Sequence, residues 1–234
     1  MSDEQNSADL IRLNKHLALQ LGVSRREADE LIEKGRVTIN GDTAVLGARI
    51  HPDDTVTANG QPVSEKTPLQ YVALNKPVGY VCSRKAQGDN PTIYSFLPPK
   101  MSVLKPVGRL DKDSSGLLLL TNDGDFAFRM THPKFAKTKI YEVQLDHPLE
   151  PLHQQMISDY GVQLDDGISK FTVMRLEDRE KTTYQVTMKE GRNRQIRRTF
   201  SALGYEVTVL HRVQFGNYSL GDMKTKHFAF VDMR

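Results

Sequence analysis

The segment Gly108–Gly124 reads GRLDKDSSGLLLLTNDG. Its second half contains Leu117–Thr121, a short apolar run bounded by turn-forming residues, which is typical of a buried strand. Its first half is a polar loop that carries Arg109, Asp111 and Asp113. A loop positioned by a rigid strand is a common place for a catalytic group, although an ordinary turn with a charged rim has the same composition. The segment alone therefore predicts a strand and leaves the function of the loop open.

Short β-rich runs follow one another from Gln70 to the end of the chain, separated by turn clusters such as Asn122–Asp125. Helices are predicted at 149–160 and 194–203. This order of elements favours an α+β domain with a mainly antiparallel sheet. We predict its strands at 71–74, 117–121, 140–145, 171–176, 183–188, 205–210 and 228–231.

The first part of the chain has a helical pattern instead. Leucines recur at helical spacing over residues 13–21. Ser24 with Glu27 has the pattern of a capping box, which predicts that a second helix starts there. The Asn-Gly pair at 40–41 is a strong signal for a two-residue hairpin turn. These features predict a compact helical unit with a small hairpin.

Length and composition limit the organisation of the chain. It has 234 residues, of which 38% are hydrophobic, so it can bury a sizeable core. We predict the helical and hairpin domain at 10–60, a polar connector at 61–69 and the antiparallel-sheet domain at 70–234. No apolar run approaches the roughly 20 residues that span a bilayer. Residues 1–9 are polar and acidic, unlike a secretory signal, so a cytoplasmic protein without membrane contact is expected.

Cysteine and histidine usage argues against disulfides and metal sites. Cys82 is the one cysteine, and the seven histidines are scattered without the spacing of metal ligands. We therefore predict neither a metal nor a cofactor.

Positive charge is concentrated in one segment. The formal net charge is only +3, but six Lys or Arg and two acids lie between Lys189 and Arg212. Arg194, Arg197 and Arg198 fall near one face of a predicted helix. Arginines crowded together without acids repel one another, which favours an anionic partner; a solvated basic helix face is the alternative.

The segment Lys139–Val143 alternates in polarity and predicts a strand in which Tyr141 shares a face with its two flanking residues. A tyrosine in a strand is more often a core residue than a catalytic one, so the segment by itself does not identify a site.

Three segments of the first domain together resemble the S-four module, a small RNA-binding fold named after a ribosomal protein. They are Arg12–Lys15, Gly22–Ala28 and Gly35–Gly41. The resemblance implies that the two helices and the segment after them bind folded RNA through phosphates and shape. The basic residues that it nominates as RNA contacts are Arg12, Lys15, Arg25, Arg26 and Arg36.

Four segments of the second domain resemble the RsuA-type ribosomal RNA pseudouridine synthases, within which the RluB and RluF type that modifies large-subunit rRNA is most similar. They are Leu74–Gly79, Gly108–Asp111, Lys139–Tyr141 and Gly191–Arg198. With the leading module, the resemblance covers roughly 10–218. Two departures are serines at 114 and 115, where many relatives have a threonine nearby, and a short ending after Gly221.

This resemblance implies a reaction and a set of site residues. Asp111 would be the catalytic carboxylate, as nucleophile or as base, and the atom that it attacks is left open. Arg197 would face this carboxylate and keep it ionised, and Tyr141 would stack on the flipped uracil and help to remove the C5 proton. Arg109 would hold the displaced strand or contact a phosphate. Further RNA contacts are expected from Arg192, Arg194 and Arg198, and the protein is expected to act on rRNA as a monomer.

Two other functions remain possible from the sequence. The first is a non-catalytic RNA-binding factor in ribosome assembly, against which the intact set of Asp111, Tyr141 and Arg197 argues. The second is a hydrolytic carboxylate enzyme such as a glycosidase, which would need a second acid opposite the first. Asp113 lies in the same loop, which argues against that geometry. The modified uridine is not predictable, because RNA tertiary shape decides it.

Overall fold

A computed structural model of the protein describes residues 10–63, 68–84, 88–177 and 179–233. The chain divides into two compact units, with the boundary between Leu69 and Gln70. No helix in the described part of the chain is long and apolar enough to cross a membrane.

The first unit consists of two helices and small antiparallel sheets around one apolar core. Its core side chains include Leu13, Leu17, Ala28 and Ile32, which lie on the buried faces of the helices. The capping box is confirmed, since the Ser24 hydroxyl accepts from the Glu27 amide at 3.1 Å and the Glu27 carboxylate accepts from the Ser24 amide. The elements are β1 (Ile11–Arg12), α1 (Leu13–Gln20), α2 (Arg25–Glu33), β2 (Val37–Ile39), β3 (Asp42–Thr43), β4 (Arg49–Ile50), β5 (Val56–Ala58) and β6 (Gln61–Pro62). β1 pairs with β4, and the other strands form a sheet in the order β3-β2-β5-β6.

The predicted connector at 61–69 begins too early. Asn59 and Gly60 both have positive φ, as the turn of a tight hairpin requires, so the chain folds back after β5. Residues Gln61–Pro62 then form β6, and Val63 packs into the core of the first unit. The same Asn-Gly pair at 40–41 predicted the first hairpin, but the second copy at 59–60 was not predicted as a turn. Residues 64–67 of the predicted connector lie outside the described residues.

The second unit is built on a nine-stranded sheet. Its strands are β7 (Tyr71–Lys76), β8 (Lys105–Val107), β9 (Ser115–Thr121), β10 (Lys139–Leu145), β13 (Thr172–Arg175), β14 (Thr183–Met188), β15 (Val207–Phe215), β16 (Tyr218–Ser219) and β17 (Phe228–Phe230); β11 (Val162–Leu164) and β12 (Gly167–Ser169) form a separate hairpin. The main path is β13-β14-β10-β15-β9-β7-β17, with β16 beside β15 and β8 beside β9. β15 and β9 run parallel, and the other described pairs run antiparallel. The sheet is therefore mixed but mainly antiparallel, and the α+β prediction is confirmed.

The apolar run of β9 is explained by burial on both faces of the sheet. Leu118 and Leu120 belong to one core, while Leu117 and Leu119 belong to a second core on the opposite face. Successive side chains of a strand point to opposite faces, so a central strand covered on both sides needs no polar positions. The described residues form three α-helices beside the sheet, namely α3 (Gly124–Thr131), α4 (Pro151–Gln155) and α5 (Gln195–Ser201), and short 3₁₀ helices at Ile93–Ser95, Pro99–Val103 and Pro133–Phe135.

Three details of the second unit differ from the sequence prediction. The turn predicted at Asn122–Asp125 contains the start of α3, because the Asp123 carboxylate caps the amides of Asp125 and Phe126 at 2.9 and 3.0 Å. The helix predicted at 149–160 forms α4 followed by one π-helical turn, Met156–Tyr160. The strand predicted at 205–210 starts later and continues to Phe215 as β15.

Candidate active site

A cavity of about 430 Å³ opens beside the sheet of the second unit. The loop before β9, the strands β10 and β15 and the segment before α5 all contribute to its wall. Asp111 and Tyr141, which the sequence analysis nominated from distant segments, both line it, as do Arg109 and Arg194. The structure therefore brings three of the four quoted segments of this domain to one site.

The register of three adjacent strands places Tyr141 close to the loop that carries Asp111. Gly116 of β9 lies opposite Arg212 of β15, and Arg212 lies opposite Tyr141 of β10. These three residues form a row across the sheet just beyond Asp111. A Cβ atom on Gly116 would lie 2.3 Å from the backbone oxygen of Arg212, so only glycine permits this close approach of the strands.

A buried lysine holds the backbone of the Asp111 loop. Lys76 is 0% exposed, and its ammonium group donates to the carbonyls of Asp111 at 3.0 Å, Ser114 at 2.7 Å and Pro77 at 3.0 Å. Burial lowers the pKa of Lys76 because it penalises the charged form. In the sequence, Lys76 belongs to the motif Leu74–Gly79 and had no predicted role of its own. A lysine at the end of a strand that begins with the apolar run Tyr71–Leu74 was the signal for its role.

The contacts between arginines and the carboxylates of the loop differ from the prediction. Arg197 was expected to face Asp111, but its terminal nitrogens donate to the backbone oxygens of Asp113 at 2.8 Å and Val207 at 2.6 Å. Arg197 and Asp113 line a neighbouring depression. Arg194 is the arginine beside Asp111, with Nη1 3.8 Å from Oδ2 of that carboxylate. The direct contact does not form in this structure, because Arg197 instead ties the loop to the start of β15. The charge of Asp111 still acts on Arg197, and the role of Arg197 beside this carboxylate stays a prediction.

Of the two acids in the loop, Asp113 has the closer contacts with arginine. Arg194 donates to both of its carboxylate oxygens, at 3.1 and 3.0 Å, and Arg197 Nε lies 3.3 Å from Oδ2. Burial by itself would raise the pKa of Asp113, but the hydrogen bonds from Arg194 and the charge of Arg197 outweigh it and lower the pKa. The second acid of the loop thus serves as a fixed anionic partner for the two arginines.

The expectation that the arginine segment lacks neighbouring acids is also wrong. Asp166, in the turn between β11 and β12, accepts from Arg192 at 2.8 Å and from Arg198 at 2.7 Å. Asp113 and Asp166 together form ion pairs with all four arginines of the segment. Both acids are distant in sequence, so a local count of charges could not reveal them.

The RNA contacts nominated in the first unit lie at its surface. Arg12, Arg26 and Arg36 are exposed, and Lys15 is half-buried. Arg25 is exposed as well and donates to Asn14 at 3.2 Å. Their positions suit contact with phosphates, and their roles stay predictions. No group of three metal-ligating side chains occurs within the described ranges.

Comparisons with known proteins identify the family. Residues 70–202 match the family described as RNA pseudouridylate synthase, and residues 11–56 match the S4 domain. The chain belongs to the RNA pseudouridylate synthases. The predicted family, with its leading S-four module, is confirmed, and members of this family are isomerases.

Individual synthases are similar to this chain along nearly their whole length. A ribosomal small subunit pseudouridine synthase A from Yersinia pestis is 39% identical, covering 91% of this chain and 90% of that protein. A ribosomal large subunit pseudouridine synthase B from Bacillus subtilis is 36% identical, covering 92% and 89%. The crystal structure of a pseudouridylate synthase has 32% identity and a TM-score of 0.67, covering 95% of this chain and 96% of that one.

Proposed function

We propose that this protein isomerises one specific uridine of ribosomal RNA to pseudouridine, with Asp111 as the catalytic carboxylate. The observation that carries the proposal is the meeting of Asp111 and Tyr141 in one cavity of about 430 Å³. This volume lies in the range of small-molecule sites and accommodates a single flipped nucleoside. The ribosomal substrate is supported by the names of the similar synthases and by the S4 domain.

The reaction breaks the bond between N1 of uracil and the sugar carbon C1′, turns the base and joins its C5 to the same carbon. No atom is gained or lost, so the reaction needs no co-substrate. Asp111 is 29% exposed and projects from a loop whose backbone Lys76 holds, so its carboxylate can reach a bound nucleoside without a large rearrangement. Arg194, at 3.8 Å, orients the carboxylate.

Tyr141 is suited to contact the base. It is 8% exposed, lies on β10 and lines the cavity, so its ring offers a rigid flat surface to a flipped uracil. Removal of the C5 proton requires a group close to the base, and Tyr141 would assist that step. The location of Arg109 at the exposed wall favours a contact with the RNA backbone or the displaced strand.

Hydrolysis of the glycosidic bond is less compatible with the site. A glycosidase needs two carboxyl groups that flank the bond. Among the described acids, Asp111 and Glu190 line the cavity. Glu190 accepts a short hydrogen bond from Gln195 and lies 3.6 Å from Arg192, and Asp113 is held by Arg194. These contacts direct both other acids to arginine or amide partners instead of to a substrate.

The large-subunit preference stays a prediction. Synthases named for the small and for the large subunit are similar to this chain to nearly the same degree, at 39% and 36% identity. The choice of uridine depends on RNA shape around the flipped base, and it has to be measured.

The decisive experiment maps pseudouridine chemically along the rRNA of cells with and without this gene. We expect one modified position to disappear with the gene and to return when the purified protein acts on that rRNA. The product should contain pseudouridine at unchanged chain length. An unaltered map would refute the enzymatic function, and abasic sites in the product would support the hydrolytic alternative.

Removal of Met1–Lys66 tests the role of the first unit. We expect the truncated protein to keep a cooperative unfolding transition, because the second unit has its own cores. Its affinity for rRNA should fall by at least about tenfold, since several phosphate contacts are lost. Filter binding at one fixed salt concentration measures the affinity, and circular dichroism measures the fold. Equal affinity of the two proteins would contradict an RNA-binding role for this unit.

A further inference from the structure

Arg212 is a buried cation at the centre of the candidate site. It lies on β15 between Gly116 and Tyr141 in the cross-strand row, is 2% exposed and lines the same cavity as Asp111. In the sequence it belongs to the basic segment Lys189–Arg212, and it had no predicted role.

The partners of Arg212 do not account for its charge. Its Nε donates to the carbonyl of Leu117 at 2.8 Å, and the Phe215 ring lies 4.8 Å from the guanidinium carbon. Its Nη2 is buried and has no hydrogen-bond partner among the described residues. No carboxylate in those ranges forms an ion pair with it. A buried charged donor without an acceptor is costly to the folded protein, so a partner supplied by a ligand is the simplest explanation.

The surrounding charges strengthen this conclusion. Lys76 and Lys139 are close enough for the charge of Arg212 to act on both. The pKa of Lys139 is lowered mainly by burial and, to a smaller extent, by the charge of Arg212. Lys139 and Arg212 both line the cavity, whose described acids are Asp111 and Glu190, and Lys76 holds the Asp111 loop beside it. Such a site attracts a group that carries, or acquires, negative charge.

We propose that Arg212 is a catalytic residue that donates hydrogen bonds to a carbonyl oxygen of the flipped uracil and stabilises the negative charge that develops there. This inference rests on the proposed function. If C1′–N1 breaks directly, its electron pair passes to the base and is shared by the carbonyl oxygens. If Asp111 first adds to C6, the pair of the C5–C6 double bond moves toward the C4 carbonyl oxygen. In the second route C1′–N1 then breaks as well. In both routes the electron pair at C5 forms the C1′–C5 bond, and the pair released when the C5 proton leaves restores the C5–C6 double bond and expels Asp111 where it was bonded to C6. N1, which kept the pair of the broken C1′–N1 bond, is protonated.

The depth of Arg212 favours the base over a phosphate as its partner. Tyr141 and Phe215 flank it, and their rings suit a flat heterocycle. A phosphate keeps its hydration more easily at the exposed wall, where Arg109 stands. A guanidinium group also holds its donors in a fixed plane, which matches a carbonyl oxygen in the plane of the base.

The test compares Arg212→Met and Arg212→Lys with the wild-type protein in single-turnover reactions on an rRNA fragment. For Arg212→Met we expect the rate to fall roughly 10²- to 10³-fold, as when one preorganised donor to a developing charge is removed. The dissociation constant for RNA should change less than about threefold, because the base contact strengthens mainly in the transition state. Arg212→Lys should recover part of the rate.

If Arg212 had only a structural role, its replacement should lower the melting temperature together with the rate. Under the proposed role, Arg212→Met removes a buried charge without an acid partner, so we expect its melting temperature to equal or exceed that of the wild type. Arg175→Met, an exposed arginine on β13, is the matched control and should change neither rate nor stability. The inference is overturned if Arg212→Met reacts at the wild-type rate, or if its rate falls only in parallel with folding or RNA affinity. A wild-type protein that converts no uridine would instead overturn the proposed function.

Discussion

Asp111→Asn is expected to reduce pseudouridine formation on the order of 10⁴-fold or more, as loss of an essential catalytic carboxylate does in other enzymes. Asparagine has nearly the same shape, but its amide is neither a nucleophile nor a base at neutral pH. The loop should keep its conformation, because Lys76 binds the backbone oxygen of residue 111 and not its side chain. Single-turnover assays measure the rate, and RNA affinity should remain within a few-fold of the wild type.

Asp113→Asn is the matched control in the same loop. Asp113 pairs with Arg194 and Arg197 and lines the neighbouring depression, so its loss should lower stability and reduce the rate far less. Near-normal turnover by Asp111→Asn would refute the catalytic assignment. If only Asp113→Asn were inactive, the roles of the two acids would be exchanged.

Gly116→Ala is expected to destabilise the second unit by about 3 kcal/mol or more, from overpacking combined with backbone strain. The new Cβ would meet the oxygen and nitrogen of the Arg212 backbone at 2.3 and 2.5 Å, and φ at this position is +103°. Backbone cannot yield as a flexible side chain can, so β9 and β15 have to separate. Activity should be lost as well, because the row that joins the Asp111 loop to Tyr141 passes through this contact.

Gly204→Ala separates the two causes. Gly204 has φ of +90°, but an added Cβ there meets nothing within 4 Å. It should therefore show the conformational cost alone, about 1 to 2 kcal/mol. Urea unfolding of the three proteins measures the difference. If Gly116→Ala costs no more than Gly204→Ala, the close approach of β9 and β15 is not what selects glycine.

Local sequence patterns predicted those strands whose apolar residues are buried on one or both faces of the sheet. Alternation located β10, a β-rich run located β14, and the uninterrupted leucines of β9 indicated a buried strand. The start of α3 was missed because the same residues, Asn122–Asp125, suit both a turn and a helix cap. The parallel pairing of β9 with β15 joins distant segments, and no local pattern carries that information.

The site was predictable only in part for the same reason. The motifs nominated Asp111 and Tyr141, and both line one cavity. Spacing along a helix could not decide which arginine approaches Asp111, since that depends on where α5 begins and what its side chains meet across the sheet. Lys76 and Arg212 act through contacts with residues far along the chain. Their only sequence signal is a cation placed within a β-rich run.

The pairing of Arg192 and Arg198 with Asp166 bears on how RNA binding responds to salt. A free arginine releases condensed counterions from RNA when it contacts a phosphate, which makes affinity fall steeply as ionic strength rises. An arginine that already pairs with a carboxylate must exchange that partner for the phosphate. The carboxylate also makes the net charge of the surface less positive before RNA binds. The salt dependence of RNA binding should therefore be shallower than the number of arginines in this segment would indicate, and discrimination among RNAs should depend more on geometry than on charge.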